Sequence, residues 1–163
     1  MVTRVYLDTW YLTSLVATKS SERADAKSLL SKMKYGYEIV VPQVALGEVF
    51  AVIVKKYTDP NEINNKLSKL CDDLFSVVNP KTCLSPISNE VLNCAVELQK
   101  KDDQIKNTDL MIIAHALTDP RSSRLLTSDR KMLDSSAIPE MELRLRTEGK
   151  REIELRVTDG LGH

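Results

Sequence analysis

The sequence predicts an α/β fold, a three-layer α/β/α sandwich around a central and mostly parallel sheet. Short apolar or β-branched runs alternate with longer amphipathic segments along most of the 163 residues. Every connection between consecutive runs is long enough for a right-handed crossover. The C-terminal part differs, because apolar and polar residues alternate there on both sides of a glycine, which predicts a β-hairpin extension. We therefore expect one domain at residues 1–138 and a hairpin with its tail at residues 139–163.

The first half of the chain contains the first two predicted strands. We expect strands at residues 2–7 and 39–41, and helices at residues 9–16, 20–33, 42–57 and 61–75. The Ile-Val-Val run at residues 39–41 is too short for a helix of its own, so it indicates a buried strand. Gly36 suits the left-handed position that ends many helices. Pro42 suits the first position of a helix, where its missing N–H leaves no hydrogen bond unmade.

The second half predicts two more core strands and the hairpin. We expect a short strand within the turn-rich residues 77–86, helices at residues 88–101 and from 107 onward, a strand at residues 124–127, and a short helix from 129 to about 139. Asn107 or Thr108 is expected to cap a helix that is apolar almost all round, and therefore central. The hairpin rests on alternating apolar residues at 141, 143 and 145 and again at 153, 155 and 157.

Composition narrows the class of protein. Lys and Arg total 23 and Asp and Glu total 23, so a broad electrostatic attraction to nucleic acid is not indicated. Basic residues do gather around position 129 and in the tail. No apolar run approaches the roughly 18 residues that span a bilayer, and the N-terminus does not resemble a signal peptide. We expect a cytoplasmic protein without a membrane partner, whose Cys71, Cys83 and Cys94 are reduced thiols.

Acidic residues stand where the predicted elements open the rim of the sheet. Asp8 ends the first strand, Glu48 lies two turns into the helix after the second, Asp109 lies in the first turn of the central helix, and Asp129 follows the last core strand. Ligands bind at the carboxyl ends of strands in open α/β sheets. Carboxylates gathered there commonly hold hard divalent cations. The pattern therefore predicts a Mg²⁺ (or Mn²⁺) site and metal-dependent hydrolysis of phosphodiesters.

Each acid also has an ordinary interpretation. Asp8 and Asp129 suit helix caps, Asp109 suits a first helical turn, and Glu48 suits a solvated helix face. Glu48 nevertheless lies in an otherwise apolar helix beside Gly47, whose lack of a side chain would permit another element to approach. The set of four together favours a metal site over four unrelated structural roles.

These pieces resemble the PIN-domain nucleases, and among them the VapC-type toxin ribonucleases of bacteria and archaea. The matching segments are VYLDTWYL, PQVALGEV, NTDLMIIAHAL and LLTSDRKML, in this order. The resemblance implies a metal-dependent endoribonuclease that acts on RNA and leaves a 5′-phosphate and a 3′-hydroxyl. It implies that the catalytic and metal-binding residues are Asp8, Glu48, Asp109 and Asp129. It also implies a small antitoxin as a possible partner, and a homodimer.

Within this resemblance, we expect Asp8 and Asp109 to bind the metal directly. Glu48 and Asp129 are expected to act through water molecules or to orient the attacking water. Thr127 matches the Thr-x-Asp segment of the family, and its hydroxyl is expected to bond either a carboxylate, a substrate phosphate or nearby backbone. Lys131 stands where many relatives carry a further acid, which favours one metal over two.

Two further residues have competing interpretations. Trp10 stands where many relatives have a small polar residue. We expect it to pack in the core, as Trp usually does, with a stacked nucleobase as the alternative. His115 is expected to be a core or boundary residue rather than a catalytic base, because no partner is evident. RNA contact by Arg144, Arg146 or Arg151 is an alternative to a solvated surface.

Two other functional classes are alternatives to the nuclease, a signalling receiver domain and a PIN-like scaffold. A signalling receiver domain would need a phospho-acceptor Asp at the end of the third strand, and residues 82–86 contain none. A PIN-like scaffold without catalysis, binding RNA or a protein, is the main alternative. The presence of all the expected acids argues against it.

Overall fold

A parallel five-stranded sheet forms the centre of the molecule. The structure is a computed structural model that describes residues 2–77 and 84–160. The strands are β1 (Arg4–Leu7), β2 (Glu38–Pro42), β3 (Leu84–Ser85), β4 (Ser122–Leu126) and β5 (Arg156–Thr158). Their order across the sheet is β3-β2-β1-β4-β5, and every neighbouring pair is parallel. The predicted α/β fold is confirmed.

Helices fill the connections between the strands. They are α1 (Thr9–Leu15), α2 (Ser20–Met33), α3 (Gln43–Lys56), α4 (Pro60–Phe75), α5 (Asn89–Lys101), α6 (Asn107–Thr118), α7 (Arg130–Leu133) and α8 (Ala137–Thr147). Side chains cap several of them. Asp8, Asp59, Ser88 and Asp129 each accept a hydrogen bond from a backbone N–H in the first turn of the helix that follows. Lys106 occupies the cap position of α6 without a side-chain bond, so the cap expected from Asn107 or Thr108 is not formed.

The strand order places a topological switch point at the centre of the sheet. From β1 the chain moves outward through β2 to β3, and then returns to β4 on the other side of β1. Connections that leave β1 and β4 therefore run in opposite directions. Such a point opens a crevice at the carboxyl ends of the two strands. Asp8 directly follows β1 and Asp129 follows β4 by three residues, so this order brings both to the crevice.

The core lies on the central strands and on α6. Val5, Tyr6 and Leu7 of β1 are at most 2% exposed. In α6 every residue from 112 to 117 is buried, which confirms that this apolar helix is central. His115 is among them, and its Nδ1 lies 2.9 Å from the Ser85 hydroxyl. The structure therefore supports a core role for this histidine.

The predicted C-terminal hairpin is wrong. Residues 137–147 form α8, which buries Ile138, Met141 and Leu145, while Leu143 is 57% exposed. The buried residues 138, 141 and 145 are spaced by three and four, as on one face of a helix. Residues 141 and 145 also belong to the alternating set 141, 143 and 145 that predicted a strand. The second half of the predicted hairpin does supply β5, but β5 joins β4 in parallel at the edge of the sheet.

A buried ion pair holds this C-terminal segment to the sheet. Arg151 and Glu142 are 2% and 3% exposed, and Arg151 Nε lies 3.7 Å from Glu142 Oε1. The Arg151 guanidinium also donates to the carbonyl oxygens of Ala116 and Leu117 at the end of α6, and to that of Ser122 at the start of β4. Arg151 is therefore not available for the RNA contact considered for it.

Other details refine the sequence expectations. Helix α3 begins at Gln43, and Pro42 is both its cap residue and the last residue of β2. A Cβ placed on Gly47 would meet no atom within 4 Å, so the expected close approach of another element is wrong. Cys71 is exposed and Cys94 is buried, both as free thiols, while Cys83 lies outside the described residues. No helix among the described residues is long and apolar enough to cross a membrane.

Candidate active site

An open cavity of about 340 Å³ contains all the acidic residues predicted from the sequence. We call it the acidic cavity. Its lining residues are Asp8, Thr9, Trp10, Thr13, Glu48, Val52, Lys106, Asp109, Ser128 and Asp129. The acids come from four separate segments: the end of β1, the interior of α3, the first turn of α6 and the loop after β4. The fold thus gathers into one cavity residues that are far apart in the sequence.

Asp8 is the most deeply held of these acids. It is 3% exposed, and each of its carboxylate oxygens accepts a hydrogen bond. Oδ1 accepts from the Thr9 backbone N–H at 2.7 Å, and Oδ2 accepts from the Thr127 hydroxyl at 2.6 Å. Burial raises the pKa of Asp8, the two hydrogen bonds oppose that rise, and the charges of Glu48 and Asp129 add to it. The carboxylate is fixed in direction while its remaining lone pairs are free to bind a cation.

Thr127 links two of the acidic segments. Its hydroxyl donates to Asp8 and also accepts a hydrogen bond from the Asp129 backbone N–H at 3.0 Å. The residue is 1% exposed, so it is a buried spacer rather than a contact for substrate. Of the expected partners of Thr127, the structure contains both the carboxylate and the nearby backbone. This one side chain joins the segments that follow β1 and β4, two strands that are already paired in the sheet.

Asp129 and Lys131 have different positions. Asp129 is partly buried and caps α7, because its Oδ1 accepts from the Lys131 backbone N–H at 2.8 Å. The Lys131 side chain is exposed and does not line the acidic cavity. One oxygen of Asp129 therefore stabilises the helix, while the other side of the carboxylate faces the cavity that the residue lines.

Two polar atoms of residues that line this cavity have no hydrogen-bond partner within the described part of the chain. They are Glu48 Oε2 and Thr9 Oγ1, and both are fully buried. Buried polar atoms are nearly always bonded, and leaving one unpaired destabilises a protein by about 1–3 kcal/mol. Two such atoms in one acidic cavity fit a site that is completed by a bound cation or its water molecules.

Asp109 shows the strongest electrostatic effect. Burial and the nearby charges of Asp8, Asp129 and Glu48 raise its pKa to about 7, and Lys106 partly offsets the rise. The residue is 9% exposed. Positive charge beside such an acid would favour its ionised form, so the cavity favours a cation.

The acids do not form a complete coordination sphere by themselves. Among the described residues, no group of three or more His, Cys, Asp or Glu side chains is arranged to hold a metal ion alone. Like charges without a counter-ion repel one another. Mg²⁺ usually takes one or two carboxylates directly and keeps several water molecules. The donor set therefore fits Mg²⁺ better than a metal that requires three or four protein ligands.

Trp10 is not in the core as expected, since it is 50% exposed and lines the acidic cavity. Residues of the cavity that sequence reasoning missed are Thr9, Thr13, Val52, Lys106 and Ser128. Thr9 and Ser128 each neighbour a predicted acid, so proximity in sequence was the available signal. Lys106 directly precedes α6, and its place in the cavity depends on how that helix is oriented.

Comparisons with known proteins agree with this fold. The sequence model of the PIN domain matches residues 5–137. The structure of VapBC2 from Rickettsia felis bound to a promoter DNA fragment is similar over 96% of this chain and 99% of that chain, with 17% identity and a TM-score of 0.62. FitAcB from Neisseria gonorrhoeae is similar over 93% and 96%, with 12% identity and a TM-score of 0.60. No curated protein sequence matches significantly. The match of the PIN sequence model over most of the chain shows that the protein belongs to the PIN domain family.

Proposed function

We propose that the protein is an endoribonuclease that hydrolyses RNA phosphodiester bonds in the acidic cavity with the help of Mg²⁺ or Mn²⁺. The observation that carries the proposal is the presence of Asp8, Glu48, Asp109 and Asp129 in one cavity, together with the buried and unpartnered Glu48 Oε2. Membership of the PIN family, whose members are generally nucleases, supports it.

The division of work among the acids follows from their surroundings. Asp8 is held by two hydrogen bonds, so it suits a direct ligand. Asp109 is the acid whose pKa is raised to about 7, so it gains most from a neighbouring cation and suits a second direct ligand. Glu48 and Asp129 are less buried and suit the holding of water molecules. Because Lys131 is exposed and outside the cavity, one metal ion is proposed rather than two.

When bound, a divalent cation supplies the charge that activates a water molecule and stabilises the leaving oxygen. The residues of the chain supply position. Thr127 fixes the direction of the Asp8 carboxylate, and Glu48 is placed to accept a proton or a hydrogen bond from a water molecule through its unpartnered oxygen. Lys106 is the basic residue in the lining and suits a phosphate oxygen of the substrate.

The test is cleavage of a labelled RNA pool by the purified chain in Mg²⁺, in Mn²⁺ and in EDTA. Asp8→Asn and Asp109→Asn are expected to lower the rate at least 100-fold. Asp72→Asn is the matched control, because Asp72 is an exposed residue of α4 outside the cavity. Full activity in EDTA, or in both site variants, would refute the metal mechanism. RNA binding without cleavage in any metal would favour the alternative of a non-catalytic scaffold.

We also propose protein partners, a small antitoxin and a second copy of the chain. Exposed apolar side chains on α3, at Phe50, Val52 and Val54, support a protein contact. The similarity in fold to VapBC2 and FitAcB is consistent with such assemblies. Light scattering of the purified chain, alone and with the product of an adjacent small reading frame, tests both. A monomer that binds no such product would contradict this part of the proposal.

A further inference from the structure

Trp10 is an exposed aromatic residue at the edge of the acidic cavity. It is the only tryptophan of the chain, and half of its surface is open to solvent. The next residues of α1, Tyr11 and Leu12, are at most 3% exposed. Because Trp is on average highly buried, an exposed ring beside a reactive site requires an explanation that core packing does not supply.

The ring stands where three depressions of the surface meet. Trp10 lines the acidic cavity together with Asp8 and Asp109. It also lines a groove between α1 and α3 that reaches Tyr57, and a second groove between α1 and α2 that reaches Leu29. A strand that places a phosphodiester among the acids and continues into either groove has to pass this ring.

The backbone that carries Trp10 is firmly held. The Asp8 side chain caps α1, and the buried Tyr11 hydroxyl donates to the Ala26 carbonyl oxygen of α2 at 2.5 Å. The Trp10 carbonyl oxygen accepts from the hydroxyls of Thr13 and Ser14. The indole also packs edge-on against Tyr11, with ring centroids 6.4 Å apart. The exposed face is thus presented in advance, which lowers the entropy lost when a ligand binds.

We propose that Trp10 is a stacking platform for one unpaired nucleobase of the RNA, next to the phosphate that lies among the acids. This inference rests on the proposed ribonuclease function and adds the requirement that the RNA be single-stranded at this position. Aromatic side chains bind unpaired bases by stacking with little sequence preference. Lys106 lines the same cavity and supplies positive charge for the backbone of the strand.

A base suits this ring better than a protein side chain does. Of the exposed apolar residues on α3, Phe50 and Val54 do not line the acidic cavity, whereas Val52 does. Trp10 shares its surroundings with the acids and with Lys106, which are polar and charged. Any substrate that reaches Asp8 brings its flanking nucleotide within the neighbourhood of residue 10.

Fluorescence offers a direct test, because Trp10 is the only tryptophan. The Asp109→Asn variant, in Mg²⁺, is titrated with a mixed-sequence oligoribonucleotide of about 12 nucleotides, single-stranded and then annealed to its complement. Single-stranded RNA is expected to quench the emission saturably, and the duplex to quench it much less. Adding Trp10→Ala is expected to weaken RNA binding on the order of 5- to 150-fold, measured by anisotropy of a labelled oligonucleotide.

Matched variants separate stacking from structure. Trp10→Phe is expected to recover most of the affinity, because it keeps an aromatic face. Tyr35→Ala is expected to leave binding unchanged, since Tyr35 is 84% exposed but precedes the amino end of β2, whereas the acidic cavity lies at the carboxyl ends of the strands. One abasic nucleotide in the oligonucleotide is expected to weaken binding to the Trp10 protein and to have little effect on Trp10→Ala.

The outcomes distinguish this inference from the proposed function. Unchanged Trp10 emission while RNA binds, or equal quenching by duplex RNA, would overturn stacking even if the wild-type chain cleaves RNA, and would assign the ring to a protein contact. Quenching of Trp10 by single-stranded RNA together with weaker RNA binding by Trp10→Ala would support stacking. If the wild-type chain at the same time cleaved no RNA in Mg²⁺ or Mn²⁺, the catalytic proposal would be refuted. Absence of any RNA binding would overturn both.

Discussion

Replacing Asp109 by Asn is expected to stabilise the metal-free protein. The pKa of Asp109 is raised from 3.8 to about 7 by burial and by the charges of Asp8, Asp129 and Glu48. A difference of about three pKa units corresponds to about 4 kcal/mol at a pH where the carboxyl is ionised in both states. The Asn amide still has to be buried, and the other three acids relax when one charge is removed. We therefore expect a net gain of about 1–3 kcal/mol in the free energy of unfolding.

The sign of the pH dependence follows from the direction of the shift. Between about pH 4 and pH 7 the folded state holds a proton on Asp109 that the unfolded chain has released. The contribution of this residue to stability therefore falls as pH rises through that window, and it is constant above it. The Asn variant has no such titration. Its advantage should be larger at about pH 8 than at about pH 5, by about 1–3 kcal/mol.

Urea unfolding followed by circular dichroism in EDTA, at both pH values, measures these differences. Asp72→Asn serves as the control because Asp72 is exposed on α4, and it should change stability by less than about 0.5 kcal/mol. No gain for Asp109→Asn at pH 8, or an equal gain at the two pH values, would show that the acids do not repel one another as the structure indicates.

Three other substitutions test the packing around the site. Thr127→Val should destabilise the protein by about 1–3 kcal/mol, because it leaves Asp8 Oδ2 without its 2.6 Å hydrogen bond. Ser122→Ala removes another buried hydroxyl and is the comparison. A loss of stability in Thr127→Val smaller than in Ser122→Ala would contradict the role of Thr127 in holding Asp8. Arg151→Met should destabilise by about 1–3 kcal/mol, because it removes the buried hydrogen bonds from the guanidinium to the Leu117 and Ser122 carbonyl oxygens, while Glu142 keeps its ion pair with Arg146. The exposed Arg156→Met is its control, and similar losses would refute the argument. Gly47→Ala should stabilise α3 by about 0.5–1 kcal/mol, because the added methyl meets no atom within 4 Å. The urea concentration at the midpoint of unfolding measures the effect of each of the three substitutions. A loss of stability in Gly47→Ala would reject the prediction for that residue.

The parts of the fold that could be predicted are those in which local signals agree. Helix α2 has the predicted bounds of residues 20–33, and β2 extends the predicted residues 39–41 by one residue at each end. The sequence could place Asp8 and Asp129 after strands and Asp109 at the start of a helix, positions that meet at the carboxyl ends of a parallel sheet, while Glu48 joins them from the interior of α3.

The failed predictions share a physical cause, which is that one sequence pattern fits two structures. Residues 138, 141 and 145 fit a helix, and residues 141, 143 and 145 fit a strand. The choice was made by burial of Ile138 and by the contact of Glu142 with Arg151, nine residues further on. The prediction that Trp10 packs in the core failed for a related reason. Helix α1 has only seven residues, too few for periodicity to show that Tyr11 and Leu12 face the core and Trp10 does not.

The electrostatic repulsion among the acids and the metal binding that we propose for this cavity would be two aspects of one free energy. A cation that binds only the folded chain stabilises it by RT ln(1 + [L]/Kd), about 2.7 kcal/mol at 100 times Kd. Burial and the neighbouring carboxylates raise the pKa of Asp109, and a cation bound beside it would offset both effects. Removing this charge by Asp109→Asn should therefore raise stability in EDTA and reduce the stabilisation that Mg²⁺ provides. The difference in the free energy of unfolding between the variant and the wild type should shrink or change sign when saturating Mg²⁺ replaces EDTA. The same urea titration measures it. An equal response of both proteins to Mg²⁺ would mean that the cation binds elsewhere, and that the acids only weaken the fold.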